Sequence, residues 1–428
     1  MGVMHKILII DFGSQYTQLI ARRVRELNVY CEIRSCAEPF ASICEFKPQA
    51  IVLSGGPASV LSRGAPTIDP KIFDLGVPIL GICYGMQLIT KLMGGKVIRA
   101  KQREYGYATL QLVKPHVLFE GVEDHSPIWM SHGDSIGVMG NGLWVMGETD
   151  KKVVSAIAND EKRIYALQFH PEVHHTKCGM QILKNFLFKI AGVEPQWNMR
   201  DFISYECQHI RETVGRDHVI LGLSGGVDSS VAAVLLNQAI GKQLTCLFIN
   251  NGLLRFGEEK YVQTIFKKHY QIKLKYIDAS HEFLKALKGV SDPERKRKII
   301  GKTFIDVFTR EAKKIKGAKY LAQGTLYPDV IESQSFKGPS AVIKSHHNVG
   351  GLPKKMGLKL IEPLRELFKD EVRELGRQLG MPDEIIMRHP FPGPGLGVRI
   401  LGAVTKEKVR ILQLADHIAI DEIKKAGW

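Results

Sequence analysis

Short apolar runs recur along the chain, and between them apolar positions return every three or four residues. Ile7 to Asp11, Cys31 to Ser35, Ala50 to Leu53 and Pro78 to Ile82 are the first such runs, and Gln15 to Leu27 between the first two carries the helical period. Apolar strands alternating with helices predict a doubly wound α/β domain with a mainly parallel sheet, because strands covered on both faces have no polar side to show. The pattern ends near Gly192. Val193 to Asn198, with a proline inside it, reads as a linker before a helix over Arg200 to Val214. A second series of strands then begins with Val219 to Leu223 and Leu244 to Asn250, so a second doubly wound α/β domain follows the first. The predicted boundaries are 1–193 for the first domain, 194–203 for the linker and 204–396 for the second domain. There is no internal repeat and no low-complexity tract.

Ligands of such sheets bind beyond the carboxyl ends of the strands, and the most informative segment lies at one of them. Ser224-Gly225-Gly226-Val227-Asp228-Ser229-Ser230 directly follows the strand ending at Leu223. Its glycines let backbone N–H groups approach an anion closely, and Asp228-Ser229-Ser230 opens an apolar helix whose N-terminus favours negative charge. Ser224, Ser229 and Ser230 add hydroxyl donors. No lysine follows the glycines as a Walker loop demands, so a GTPase-like or kinase-like γ-phosphate site is disfavoured. A plain Gly-Gly turn rarely joins two glycines, three serines and an acid at one strand end, so the segment is read as a phosphate cradle.

A second centre lies in the first domain. Pro78 to Gln87 is an apolar strand running into Gly81-Ile82-Cys83-Tyr84-Gly85 and then an amphipathic helix, the turn logic of a nucleophile elbow with Cys83 at its apex. A helix N-terminus favours an anion, as a nucleophilic thiolate requires. A lone cysteine is equally a buried structural thiol. The catalytic reading rests on Gln168-Phe169-His170-Pro171-Glu172, in which His170 deprotonates Cys83 and Glu172 fixes the His170 tautomer. Ser54-Gly55-Gly56-Pro57 follows another strand, and its flexible backbone at Gly56 supplies one oxyanion donor, with the Tyr84 amide as the second.

Composition narrows the setting. A chain of 428 residues with 44% apolar residues holds two or three domains with full-size cores. No apolar stretch is long enough to span a bilayer, and Met1 to His5 leads straight into a strand, so neither a signal peptide nor a membrane partner is expected and the location is cytoplasmic. Seven scattered cysteines without a C-x-x-C pair argue for reduced thiols and against a zinc site. The formal charge of +15 is spread along the chain, which fits anionic small substrates better than nucleic acid. Its densest run, Glu294 to Lys298, is either a solvated helix face or a phosphate loop.

With these motifs in place, the first domain resembles the class I (triad) glutamine amidotransferases. The strings are Ile7-Leu8-Ile9-Ile10-Asp11-Phe12-Gly13-Ser14-Gln15-Tyr16, the Ser54 to Pro57 turn, the Cys83 elbow, Met130-Ser131-His132-Gly133-Asp134 and Phe169 to Glu172. The cradle looks like the PP-loop of ATP pyrophosphatases, which adenylylate an oxygen and release pyrophosphate. Further strings resemble the glutamine-hydrolysing GMP synthase family: Asn251 to Arg255, Lys296 to Gly301, Ala322 to Ser333, Lys344 to Gly351 and Arg388 to Gly397. The resemblance covers essentially the whole chain. It implies a Cys83-His170-Glu172 triad releasing ammonia from glutamine. It further implies adenylylation of XMP by Mg²⁺-ATP on the cradle, then amination to GMP with AMP, pyrophosphate and glutamate as the other products. Arg297 is implied as a nucleotide-phosphate contact. Asp329 and Glu332 are implied within a lid over the nucleotide spanning Leu326 to Gly351, where a plain surface loop is the alternative. Lys369-Asp370-Glu371 either reaches this site or forms a solvated helical face. Zinc on His346 and His347 is disfavoured, as no Cys or Glu stands at ligand spacing.

Two departures from the family pattern are visible. The family extends roughly another hundred residues, a span within ordinary domain size, into a C-terminal domain that makes a homodimer and helps bind XMP. Residues 397–428 therefore read as only the start of a small α+β domain, with dimerisation expected only where that domain is complete. Asn250 stands where the family pattern suggests Asp. Rival readings are another PP-loop amidotransferase, an RNA-modifying PP-loop enzyme and a non-catalytic regulatory form.

Overall fold

The computed structural model describes residues 5–334, 357–389, 391 and 393–427, without the side chains of 100–105 and 332–334. The greater part of the lid string, 335–356, with His346 and His347, lies outside the described residues. The chain divides into two compact units between Asn198 and Met199, each built on its own sheet.

The first unit is organised by nine strands: β1 (Lys6–Asp11), β2 (Tyr30–Ser35), β3 (Ala50–Leu53), β4 (Ile79–Ile82), β5 (Lys96–Leu112), β6 (Pro127–Val138), β7 (Trp144–Thr149), β8 (Val154–Asn159) and β9 (Ile164–Leu167). Their order is β2-β1-β3-β4-β9-β8-β7-β5-β6. From β2 to β9 the pairing is parallel, and these are the apolar runs, with Ile7 to Ile10 wholly buried. From β9 to β6 it is antiparallel, so the parallel sheet expected from the sequence carries an antiparallel extension that the hydrophobic pattern does not announce. β6 explains why: its buried positions alternate as Ile128, Met130, His132 and Asp134, and two polar residues on the inner face erase the apolar signature of a half-buried strand. Parallel registers that align Leu53 with Gly81 and Ile82 with Leu167 bring the loops after β3, β4 and β9 out at one edge.

The second unit holds β10 (His218–Gly222), β11 (Leu244–Asn250), β12 (Leu274–Asp278), β13 (Ala318–Ala322) and β14 (Lys359–Ile361), ordered β12-β11-β10-β13-β14. All pairs are parallel. The chain moves outward from β10 in one direction through β11 and β12, then returns to its other side with β13. The loop after β10 therefore lies at the switch point where open α/β sheets bind ligands. Residues beyond 395 pack into this unit: Ile400, Val404 and Val409 join Leu253, Ile300 and Phe308 in its core. Buried Lys296 donates from Nζ to the Ile400 carbonyl at 2.6 Å, and Gln413 donates to the Leu254 carbonyl at 2.8 Å. The basic run thus turns one lysine inward along helix Pro293–Ala312.

Candidate active sites

Cys83 sits between β4 and helix Tyr84–Leu92 with φ +51° and ψ −101°, a left-handed conformation that a non-glycine residue adopts only under strong local constraint. The constraint is close packing. A Cβ on Gly85 would lie 2.4 Å from the Leu53 carbonyl oxygen, and one on Gly81 would lie 2.6 Å from Ile89 Cδ1. The Cys83 N–H donates to the Leu167 carbonyl at 2.7 Å, tying the elbow to β9, whose continuation carries His170. His170 and Cys83 meet over Gly55, where an added Cβ would lie 3.2 Å from His170 Cε1 and 3.8 Å from Cys83 Cβ, and His170 Nδ1 is 2.6 Å from Glu172 Oε1. His170 is 3% exposed and Glu172 1%. The three residues singled out in the sequence are therefore brought together in chain order Cys-His-Glu.

Burial pushes the His170 imidazolium toward losing its proton, but the charge and hydrogen bond of Glu172, with the contact to Cys83, outweigh it and hold His170 well above its ordinary range. Glu172→Gln removes the opposing charge and leaves burial to act, so His170 is expected to titrate lower; ¹⁵N NMR of the imidazole from pH 5 to 9 reads it. The sign for stability follows from linkage: a raised imidazole value stabilises fully below about 6.5 and is lost as pH rises through the folded value. The stability advantage of the natural chain over Glu172→Gln is accordingly largest on the acid side.

A cavity of about 590 Å³ opens beside Cys83, lined by Gly56, Ser59, Tyr84, Gln87 and Asp134 among others. Gly56 packs tightly, since a Cβ there would lie 3.0 Å from the Phe12 carbonyl oxygen and 3.3 Å from Tyr84 Cγ. The Tyr84 hydroxyl donates to the Pro66 carbonyl. Asp134 was not anticipated as a site residue, nor were Ser59 and Gln87. The Ser59 hydroxyl donates to the Asp134 carboxylate; Gln87 Nε2 donates to the Asp134 carbonyl and to Gln168 Oε1, each at 3.2 Å. For Asp134 the available signal was its place in the Met130 to Asp134 string.

In the second unit the segment after β10 forms a tight turn with Gly225 at φ +77°, leading into helix Val227–Ile240. Ser224 and Ser229 hydroxyls are 2.9 Å apart, the Gly226 N–H donates to Ser224 Oγ at 3.3 Å, and Ser229 Oγ donates to the Gly226 carbonyl at 3.2 Å. Ser230 is wholly buried, and its Oγ has no hydrogen-bond partner among the described residues. Gly324, after β13, abuts the turn, and a Cβ there would lie 3.2 Å from the Asp228 carbonyl carbon.

Three charged residues outside the motif close on it. Lys369, left open between site and solvent in the sequence, pairs with Asp228. Arg388 donates to the Gly225 carbonyl at 2.6 Å and pairs with Glu258, whose other oxygen accepts from the Arg255 N–H at 2.8 Å. Sequence spacing could not place Glu258 and Arg388 at the cradle, because Glu258 opens helix Glu258–Gln263 and Arg388 follows helix Asp383–Ile386, distant in sequence from the turn. Arg297 is engaged elsewhere, its guanidinium bound to both oxygens of Glu294 at 2.6 and 2.8 Å. Asp329 lies in the first turn of helix Tyr327–Gln334 and accepts from the Leu326 N–H at 3.0 Å, the work of a helix cap. Glu332 lies on the same helix; its side chain is outside those described.

Asn250 uses its whole amide. Nδ2 donates to Glu259 at 2.9 Å and to the Tyr276 hydroxyl at 3.1 Å, while Oδ1 accepts from the Gly252 N–H at 2.8 Å. Asn250→Asp would remove both donors and set a carboxylate against Glu259. A loss of about 1–3 kcal/mol is expected, larger at pH 8 than at pH 5 because the repelled carboxyl titrates higher in the folded chain than in the unfolded one; urea unfolding at the two pH values checks it.

Residues 8–190 match the class-I glutamine amidotransferase family and residues 200–296 the NAD synthase family. The chain is 59% identical to the GMP synthase (glutamine-hydrolyzing) of Brachyspira hyodysenteriae over 99% of its own length and 82% of the relative's. It is 57% identical to the enzyme of that name from Fusobacterium nucleatum, over 98% and 82%, and 56% identical to that of Aquifex aeolicus, over 98% and 82%.

Proposed function

We infer how these residues divide the work from one premise: the chain belongs to the glutamine-hydrolysing GMP synthase family, ligases that use glutamine, ATP and XMP. The first unit is the glutaminase. Cys83 attacks the side-chain amide carbon of glutamine; His170, its imidazole held by Glu172, delivers the proton with which ammonia departs. Water then hydrolyses the thioester to glutamate, with His170 as base. The amides of Gly56 and Tyr84 stabilise the tetrahedral oxyanion. The observation that carries this reading is a cysteine held at φ +51° at a strand-to-helix turn, beside a histidine whose Nδ1 is 2.6 Å from a buried carboxylate.

The second unit activates the acceptor. The turn from Ser224 to Ser229 receives the ATP phosphates; its glycine at φ +77° leaves room where a Cβ would crowd Glu258, Arg388 and Val262, so the residues fit an anion. Mg²⁺, a hard cation usually held by one or two carboxylates and the substrate phosphates, would take Asp228 as its protein ligand and neutralise phosphate charge. The XMP C2 oxygen attacks the α-phosphorus and pyrophosphate leaves; ammonia then displaces AMP to give GMP. Lys369 and Arg388 hold the cradle in shape through Asp228 and the Gly225 carbonyl. Asp329 and Glu332 remain assigned to the lid, and Arg297 to nucleotide phosphate once it exchanges Glu294 for it. The free cysteines suit a reducing cytoplasm. Ile411, Leu414 and Ile418, exposed along one stripe of helix Lys406–Lys425, support the pairing of two copies that the family implies. The test is AMP and pyrophosphate release from Mg²⁺-ATP and XMP, with ammonium and then glutamine as nitrogen source. Release with both supports the assignment, whereas glutamine hydrolysis without XMP-dependent AMP sinks the reading of the second unit.

A further inference from the structure

The Asp11 to Tyr16 string enters the resemblance, yet no step above uses it. Asp11 ends β1, and its Oδ1 accepts from the Gly13 N–H at 2.9 Å and from the Thr17 hydroxyl at 2.6 Å. Ser14 Oγ accepts from the Tyr16 N–H at 3.1 Å. The turn is also tied to the Ser54-Gly55 strand end, because the Phe12 N–H donates to Ser54 Oγ at 3.1 Å and that hydroxyl donates to the Gly55 carbonyl at 2.8 Å. A turn fixed at both ends delivers Tyr16 in a defined place at the start of helix Thr17–Glu26.

That place is the imidazole of His170. The two rings stand edge to face with centroids 5.2 Å apart. Gly55 bounds the same imidazole elsewhere, as a Cβ on it would lie 3.2 Å from His170 Cε1. Tyr16 is 37% exposed while His170 is 3% exposed, so part of the tyrosine ring faces solvent and part covers the base. Two turns further along the helix, on the same side, Arg23 Nε donates to the Glu172 main-chain carbonyl at 3.0 Å. One helix therefore holds the imidazole through Tyr16 and the backbone of its carboxylate partner through Arg23.

We propose that Tyr16 and Arg23 are positioning residues of the glutaminase, fixing the plane of His170 and the backbone of Glu172 against Cys83 and keeping water from the buried pair. The proposal rests on His170 and Glu172 being the base and its partner. Tyr16 acts by its ring, since an edge-to-face contact needs no hydroxyl. Neither residue need touch glutamine, so substrate affinity should be spared while turnover suffers.

The experiment is steady-state glutamine hydrolysis by the full chain carrying Tyr16→Ala, Tyr16→Phe, Arg23→Met or His170→Asn, with thermal unfolding as the control for folding of the first unit and ammonium-dependent GMP formation as that for the second. Tyr16→Ala is expected to lower kcat about 10- to 100-fold, the cost of a misplaced catalytic group, with KM nearly unchanged. Tyr16→Phe is expected to restore kcat, and Arg23→Met to lower it with the same pattern. Wild-type kcat in Tyr16→Ala, or a Phe variant as poor as Ala, overturns the proposal. Should Tyr16→Ala fail either control, Arg23→Met decides alone, and its undiminished kcat overturns the proposal. Active His170→Asn instead overturns the assignment of the base beneath it.

Discussion

Cys83→Ala is expected to lower glutamine-dependent GMP formation by at least about 10³-fold while leaving the ammonium-dependent reaction at the level of the natural chain. On the proposed mechanism the side chain removed is the nucleophile that forms the covalent bond. Ser131 contributes a main-chain carbonyl, 3.6 Å from the sulfur, which is no nucleophile. Alanine also tolerates the elbow poorly, since it inherits φ +51°, but that strain acts on the first unit, whereas ATP and XMP are handled by the second. Residual glutamate release above about a tenth of the natural rate would mean that Cys83 is not the nucleophile. Loss with both nitrogen sources would mean that the substitution damages more than the thiol. Residues acting as one unit are strongly non-additive, so Cys83→Ala with His170→Asn is expected to be no slower than Cys83→Ala alone.

The legible parts of this molecule were those in which neighbours in sequence are neighbours in space. The apolar strands of both parallel sheets, the Cys83 elbow and the Ser224 to Ser229 turn are local: each is a run of residues whose types declare a buried strand, a tight turn and a helix start. His170 and Glu172 could be joined to Cys83 because the motif residues are rare in combination. What stayed hidden is carried by long-range pairing. Arg388 meets Gly225 and Glu258 from a loop more than a hundred positions away, and Lys369 meets Asp228 from the helix after β14. Neither has a periodicity that points to a partner. The antiparallel half of the first sheet was concealed for a different reason, because His132 and Asp134 occupy its inner face, and two polar residues there break the apolar alternation by which strands are recognised. Arg297 is a further long-range question: the resemblance implies a phosphate contact for it, and its guanidinium pairs with Glu294 one helical turn earlier.

Gly225→Val is expected to remove XMP-dependent AMP formation by at least about 10²-fold with either nitrogen source, because both phosphate positioning and its electrostatics are lost together. Two independent costs converge on the residue. Its φ of +77° is a conformation that β-branched side chains strongly resist. A Cβ would also stand 3.1 Å from Glu258 Oε1, 3.2 Å from Arg388 Nη1 and 3.2 Å from Val262 Cγ2, so the ion pair bracing the turn from outside must shift. Its shift is expected to release the Arg388 bond to the Gly225 carbonyl and to turn the peptide groups proposed to face the phosphates. The damage stays in the second unit: glutamate release by Cys83, measured without XMP, should persist. AMP release at the natural rate in Gly225→Val would show that the phosphates bind elsewhere. Gly226→Ala is the graded control, since Gly226 has ordinary φ −74° and its Cβ would meet only Ser224 Oγ at 3.3 Å. Its loss should be much the smaller, which separates the shape of the turn from the mere presence of glycine in it.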